Sequence, residues 1–226
     1  ALLAMHNNLC FRGWRSAVER FSWPSARILR VAVVSGAAAS VDSLSAMLPR
    51  IALGAANSYS ELGYYTAAMQ IPLLFAVMVG ALGNAAIPRW RVEKSRNEVI
   101  KSFLAIQGLV AVMAASLYLL SVHLGDWLLV FFYGNSFQSV GWVLRSVVVG
   151  SAFWFFAGIN GCALQGLASY RWLLAANLGS LVTVLLGLCI CYASEGGVSL
   201  AMVVNIYIVS MFMRLVVSTI GLVRSI

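Results

Sequence analysis

Four charged side chains stand inside stretches that are otherwise apolar: Asp42, Arg50, Arg145 and Arg214. In hydrocarbon each costs about 2.5–3.5 kcal/mol at a helix centre, so such residues face a bundle interior, a partner charge or a wet cavity. Three cations against one anion make an interior suited to an anionic ligand. Arginine fits that task, because its planar fork of donors matches phosphate oxygens and stays charged at any working pH. Arg50 leads the set, since Pro49 beside it interrupts the backbone hydrogen bonds and opens room for a polar pocket. Asp42 and Arg50 are eight residues apart, about 12 Å along a straight helix and ~80° around it, too far for a direct ion pair. Snorkelling is the competing account of Arg145 and Arg214, each within reach of a membrane surface through its long stem.

Gln70 and Asn84 add amides to the second apolar stretch, where Pro72 marks a kink, and both join the cavity candidates; Pro49 and Pro72 are the candidate hinges. Asn160, Asn177 and Asn205 put one amide in each of the last three stretches, where amides hold helices together at about 0.6–2 kcal/mol apiece. Glycines 150, 158, 161 and 166 predict a small-residue packing face on the fourth stretch. No catalytic site is expected: neither His6 nor His123 has an acid and a nucleophile at a recognisable spacing, and there is no phosphate-binding glycine loop. Cys10, Cys162, Cys189 and Cys191 form no disulfide framework. The last two lie ~200° apart on a helix and cannot share a metal, so they read as small packing residues. No metal site and no cofactor are expected, and the chain does not read as an enzyme.

These side chains need elements to carry them, and composition names the solvent those elements meet. Apolar residues are 62% of 226 and charged residues 10%, against about 45–50% and ~25% in soluble domains. Lipid must therefore face much of the surface, and in lipid only helical bundles or closed barrels satisfy the backbone. The apolar runs do not alternate, which excludes a barrel. Six stretches reach the ~20 residues that cross a bilayer: about 31–55, 62–87, 99–122, 140–164, 170–193 and 198–223. The predicted fold is an all-α integral membrane protein with one bundle of six transmembrane helices.

The loops give orientation. Twelve of the fifteen Lys and Arg residues fall in residues 1–30, in 88–101, at Arg171 and at Arg224, while the intervening loops have none. The positive-inside rule then puts both termini in the cytoplasm, with residues 1–30 a basic cytoplasmic linker and 31–226 the bundle. The net charge of +8 is topogenic on this account and implies no nucleic-acid partner. Trp23, Trp90 and Trp172 belong at the inner interface, and Tyr64, Tyr65, Trp127, Tyr133 and Trp142 at the outer one. The run Asp126–Gly134 is too short to span, and is expected to lie on the outer surface or to cap the third helix.

The order of several short motifs is distinctive. Pro49–Gly54 (PRIALG) leads into Ser58–Ala68 (SYSELGYYTAA), Pro88 closes the second helix, and Leu128–Phe137 (LLVFFYGNSF) precedes the fourth. Over about residues 30–175 this resembles the polysaccharide flippases, of O-antigen or lipopolysaccharide type, in the multidrug/oligosaccharidyl-lipid/polysaccharide superfamily. The resemblance implies the C-terminal six-helix half of a two-bundle transporter in the bacterial inner membrane, partnered by a missing N-terminal half. It implies flipping of an undecaprenyl-pyrophosphate-linked oligosaccharide between leaflets by alternating access, for surface polysaccharide biosynthesis. Arg50 falls where a cavity charge is expected, and Asp42 is compatible with coupling to Na+ or H+. The rival readings are a cation-coupled multidrug extruder of the same superfamily and, in a different class, a membrane-embedded glycan polymerase or ligase.

Overall fold

The computed structural model describes residues 26–56, 58–92, 95–195 and 197–226. Most of the expected linker, with Cys10, Arg12 and Trp23, lies outside the described residues. The chain divides at Val33, and Val34–Ile226 forms the compact bundle. Among the described residues there are six helices: α1 (Ala26–Ala55), α2 (Tyr59–Val92), α3 (Arg96–Tyr133), α4 (Gly141–Gly166), α5 (Tyr170–Glu195) and α6 (Leu200–Ser225), with a 3-10 turn at Asn135–Val140. All six are long and apolar enough to cross a membrane. The protein is a multi-pass, all-α membrane protein.

α4 is the hub. In its most apolar stretch 61% of residues are buried, against 11% in α1, and it packs closely against α2, α3 and α6. Without a hydrophobic force between helices in lipid, such contact depends on close approach at small residues. The glycines of α4 supply it. Gly150 lies under the Tyr207 ring, where a Cβ would come within 2.6 Å, Gly161 faces Leu173, and Gly166 faces Trp90. The single small-residue face expected from sequence is thus three separate notches, each for a different neighbour. Gly158 meets nothing. Cys162 does act as a packing residue, its sulfur filling the space above Gly83.

Three expectations about helix ends and aromatics are corrected. α3 does not stop near residue 122 with a surface-lying segment after it; it continues to Tyr133. It holds no proline, Gly125 packs beside Leu144, and the helix stops only at Gly134, whose φ is +92°. Its 38 residues give about 57 Å of helix, well beyond the ~30 Å hydrocarbon core. Pro88 does not close α2, which runs on to Val92, and α1 and α2 likewise run through Pro49 and Pro72. Trp90 and Tyr65 are not interfacial rings but core, at 2% and 1% exposure; Trp90 donates to the Ser102 hydroxyl of α3 at 2.9 Å.

The connections bring like charge to one end. Arg91 of α2 reaches the Tyr170 hydroxyl at the α4–α5 turn, and Arg224 at the end of α6 lies 5.3 Å over the Trp172 ring. At the opposite end the Glu61 carboxylate accepts from the Leu200 backbone N–H at 3.0 Å, tying α2 to the start of α6 and placing negative charge on a helix N-terminus. The α4–α5 turn itself is a Schellman cap: Ser169 N–H donates to the Leu164 carbonyl and Ala168 N–H to that of Gln165. Ala168 occupies its left-handed position with φ +56°, where a side chain costs about 1–2 kcal/mol. Ala168→Gly is therefore expected to raise the unfolding free energy of the detergent-solubilised protein by up to ~1 kcal/mol, seen as a higher unfolding midpoint. Gly221→Ala is expected to lower that free energy by about 1–3 kcal/mol, because the added methyl would meet the Trp172 Cβ at 2.6 Å.

Candidate functional site

A cleft of about 350 Å³ opens between α1, α2, α4 and α6, lined by Asp42 and Arg50 among the apolar side chains Met47, Leu73, Trp154 and Met211. Helical spacing builds both polar walls. Asp42, Ala46 and Arg50 follow one another at four-residue steps on α1, and Tyr207, Met211 and Arg214 stand at i, i+4 and i+7 on α6. Tyr207 lines the cleft too, and its hydroxyl meets the Ser151 hydroxyl of α4 at 3.1 Å.

Asp42 and Arg214 form a two-pronged ion pair across 172 residues of sequence. Arg214 Nη1 donates to Asp42 Oδ1, and Nη2 donates to Oδ2 at 3.2 Å. The arginine is the deep partner, with a side chain 8% exposed against 37% for the aspartate. Arg214 therefore does not snorkel. Its charge is answered within the bundle, as burial in lipid requires. Tyr207 lies within electrostatic reach of both charges, and Tyr65 within reach of Arg50.

Arg50 is the exception. Its Nε is buried and has no hydrogen-bond acceptor, and no carboxylate pairs with it among the described residues. With Asp42 and Arg214 neutralising each other, the cleft carries one uncompensated positive charge and one donor that lacks an acceptor.

The remaining candidates stand elsewhere. Arg145 is exposed and donates from Nε to the Gly141 carbonyl of its own helix at 3.3 Å, the behaviour of a residue reaching outward. Gln70 is exposed on a different, apolar groove with Leu74, Phe132 and Phe137, and Asn84 is exposed on α2. Of the amides read as helix glue, two serve. Asn160 accepts from Gln107 of α3 at 2.9 Å and donates to Ser218 and Thr219 of α6 at 3.1 and 3.0 Å. Asn177 of α5 donates to the Ala38 carbonyl of α1 at 2.8 Å. Asn205 is exposed and joins nothing in the cleft.

Sequence reasoning missed Tyr207, Ser151 and Tyr65. The seven-residue step from Tyr207 to Arg214 was the signal that could have found the first. Among the described residues no three His, Cys, Asp or Glu side chains converge to hold a metal ion. What the cleft can do chemically is accept an anionic group on Arg50. No protein-family model matches the chain, and no curated protein or solved structure is significantly similar to it.

Removing Asp42 strands a buried guanidinium, a loss expected to cost about 3–5 kcal/mol. Asp42→Ala should therefore lower the unfolding midpoint in detergent more than Arg214→Met, which leaves the more exposed and neutralisable partner. The double variant Asp42→Leu/Arg214→Met should lie near the parent, and a double-mutant cycle over these variants measures the pair.

Proposed function

We propose that this chain is the C-terminal six-helix half of a transporter in the bacterial inner membrane. Its cargo is an undecaprenyl-pyrophosphate-linked oligosaccharide, carried from the inner to the outer leaflet by alternating access for surface polysaccharide biosynthesis. It acts without chemistry on the cargo. One observation carries this reading: Arg50, half-buried with an unsatisfied donor, gives the cleft a net positive charge. Such a group seeks an anion with several oxygens, and a pyrophosphate is one. The polyprenyl tail stays in lipid while the charged and sugar parts use the cleft, so the sugar never meets hydrocarbon.

The cleft lies on a bundle whose first helix is its least buried, which supports closure by a second bundle, the N-terminal half. The gathering of Arg91, Arg171 and Arg224 towards one end supports a cytoplasmic location for that end and for both termini. The cation-extruding alternative is the weaker one, because Asp42, the acid of this cleft, is already held by Arg214. Coupling to Na+ or H+ would have to work through that pair.

In the full-length transporter, Arg50→Ala is expected to cut export of surface glycan at least tenfold, roughly the loss of one charge-assisted contact of about 1.5–3 kcal/mol. Arg50→Lys should retain part of it, and Arg145→Ala should export normally. Unchanged glycan display in cells carrying Arg50→Ala would remove the basis of this reading.

A further inference from the structure

Arg214 meets its carboxylate fork to fork, the arrangement an arginine also makes with a phosphate group. Asp42 thus fills the place that the anion of the proposed cargo would take at this arginine. The helix that carries Asp42 is held thinly. The residues α1 buries against the bundle are mostly small, Ala38, Ser45, Pro49 and Ala52, with Leu53 near its end. Among the described residues, its polar ties to other helices at mid-span are the Asp42–Arg214 pair and the bond from Asn177, whose own Oδ1 has no partner.

We propose that Asp42 is an internal stand-in for the anionic headgroup: an anion entering at Arg50 competes with Asp42 for Arg214, and its arrival unlatches the middle of α1 from the bundle. This rests on the flippase reading only for the identity of the anion. The balance is electrostatic. The charged and titratable groups around Asp42 are Arg214 and Tyr207 on α6 and Arg50 on its own helix, with Tyr65 of α2 behind Arg50. One carboxylate answers one of the two arginines. A pyrophosphate carries enough charge to answer both, and once it sits at Arg214 the Asp42 carboxylate faces a like charge at short range. Because Asp42 rides on α1, its expulsion displaces α1, and binding becomes movement. A ligand that contacts the two states differently is what a population shift requires.

The test uses the full chain in detergent, with Cys10, Cys162, Cys189 and Cys191 replaced by serine. Ser45→Cys puts a thiol on the buried stripe of α1, where Ser45 is 2% exposed, and Ser121→Cys puts a control thiol in α3, also at a 2% exposed site. Alkylation by N-ethylmaleimide is timed with and without inorganic pyrophosphate. The thiol at position 45 is expected to react slowly in the parent and severalfold faster with pyrophosphate. In Asp42→Asn it should react fast without pyrophosphate and not respond to it. Asp42→Arg/Arg214→Glu should restore slow reaction. The thiol at 121 should stay protected throughout, which separates release of α1 from unfolding of the bundle. Equal protection of position 45 in parent and Asp42→Asn, or a parent rate indifferent to pyrophosphate, overturns the proposal. The export assay on Arg50→Ala is independent of this readout, so the latch and the flippase reading fail separately.

Discussion

An ionised group at bilayer depth needs a partner charge or a wet cavity, and in this bundle Asp42 and Arg214 supply each other with the first. The pair sits near the middle of α1 and of α6, with the arginine buried and the aspartate on the wall of the cleft. A buried pair adds little net stability over an apolar replacement, yet losing one partner is costly. Its effect is therefore one of specification. It fixes which face of α1 turns inward and ties α1 to α6. It also decides which arginine of the cleft is left uncompensated.

The rest of the bundle is held by a different means. Around α4 the helices approach through notches at Gly83, Gly150 and Gly166, and α5 meets α6 at Gly221, each notch filled by a side chain of the neighbour. The Gln107–Asn160–Ser218 chain adds directional contacts across α3, α4 and α6. Van der Waals contact of this kind is short-ranged and forfeited by small displacements, so α2 to α6 behave as a body with little slack. α1 has neither the notches nor the network. The structure thus sets a tightly packed group beside one helix that buries mainly small side chains, with Leu53 near its end, and is tied at mid-span by an ion pair and a single amide.

Helix number, approximate spans and the asymmetry of the loops were legible in the sequence because each depends on composition over a long window. What composition cannot encode is which side of a helix faces which neighbour. Trp90 and Tyr65 have the residue types and positions of interfacial rings, and only the packing of α2 against the bundle shows them buried. α3 outran its expected end because nothing breaks the helix between Gly125 and Gly134, and a length rule for spanning says nothing about protrusion. The cleft was half legible. Arg50 and Asp42 share a face of α1 at spacings any helix dictates, whereas the partner of Asp42 lies 172 residues away. Local geometry could exclude Arg50 as that partner but could not choose between Arg145 and Arg214. The choice turns on burial, since Arg145 has an exit to the surface and Arg214 has none.

That choice changes the electrostatic character of the interior. Counted from sequence, three arginines and one aspartate leave two positive charges and a diffuse preference for anions. With Arg145 turned outward and Arg214 paired, the preference reduces to Arg50 and its unfilled donor. The uncompensated Arg50 sets the sign of that preference, because a fixed positive charge attracts an anion and repels a cation more strongly where water screens it less. The same neutralisation makes the cleft a poor host for cations, since a cation must both displace Arg214 from Asp42 and tolerate Arg50 beside it. Discrimination by sign of charge thus follows from the pairing pattern, and the pairing pattern follows from which arginine could reach water.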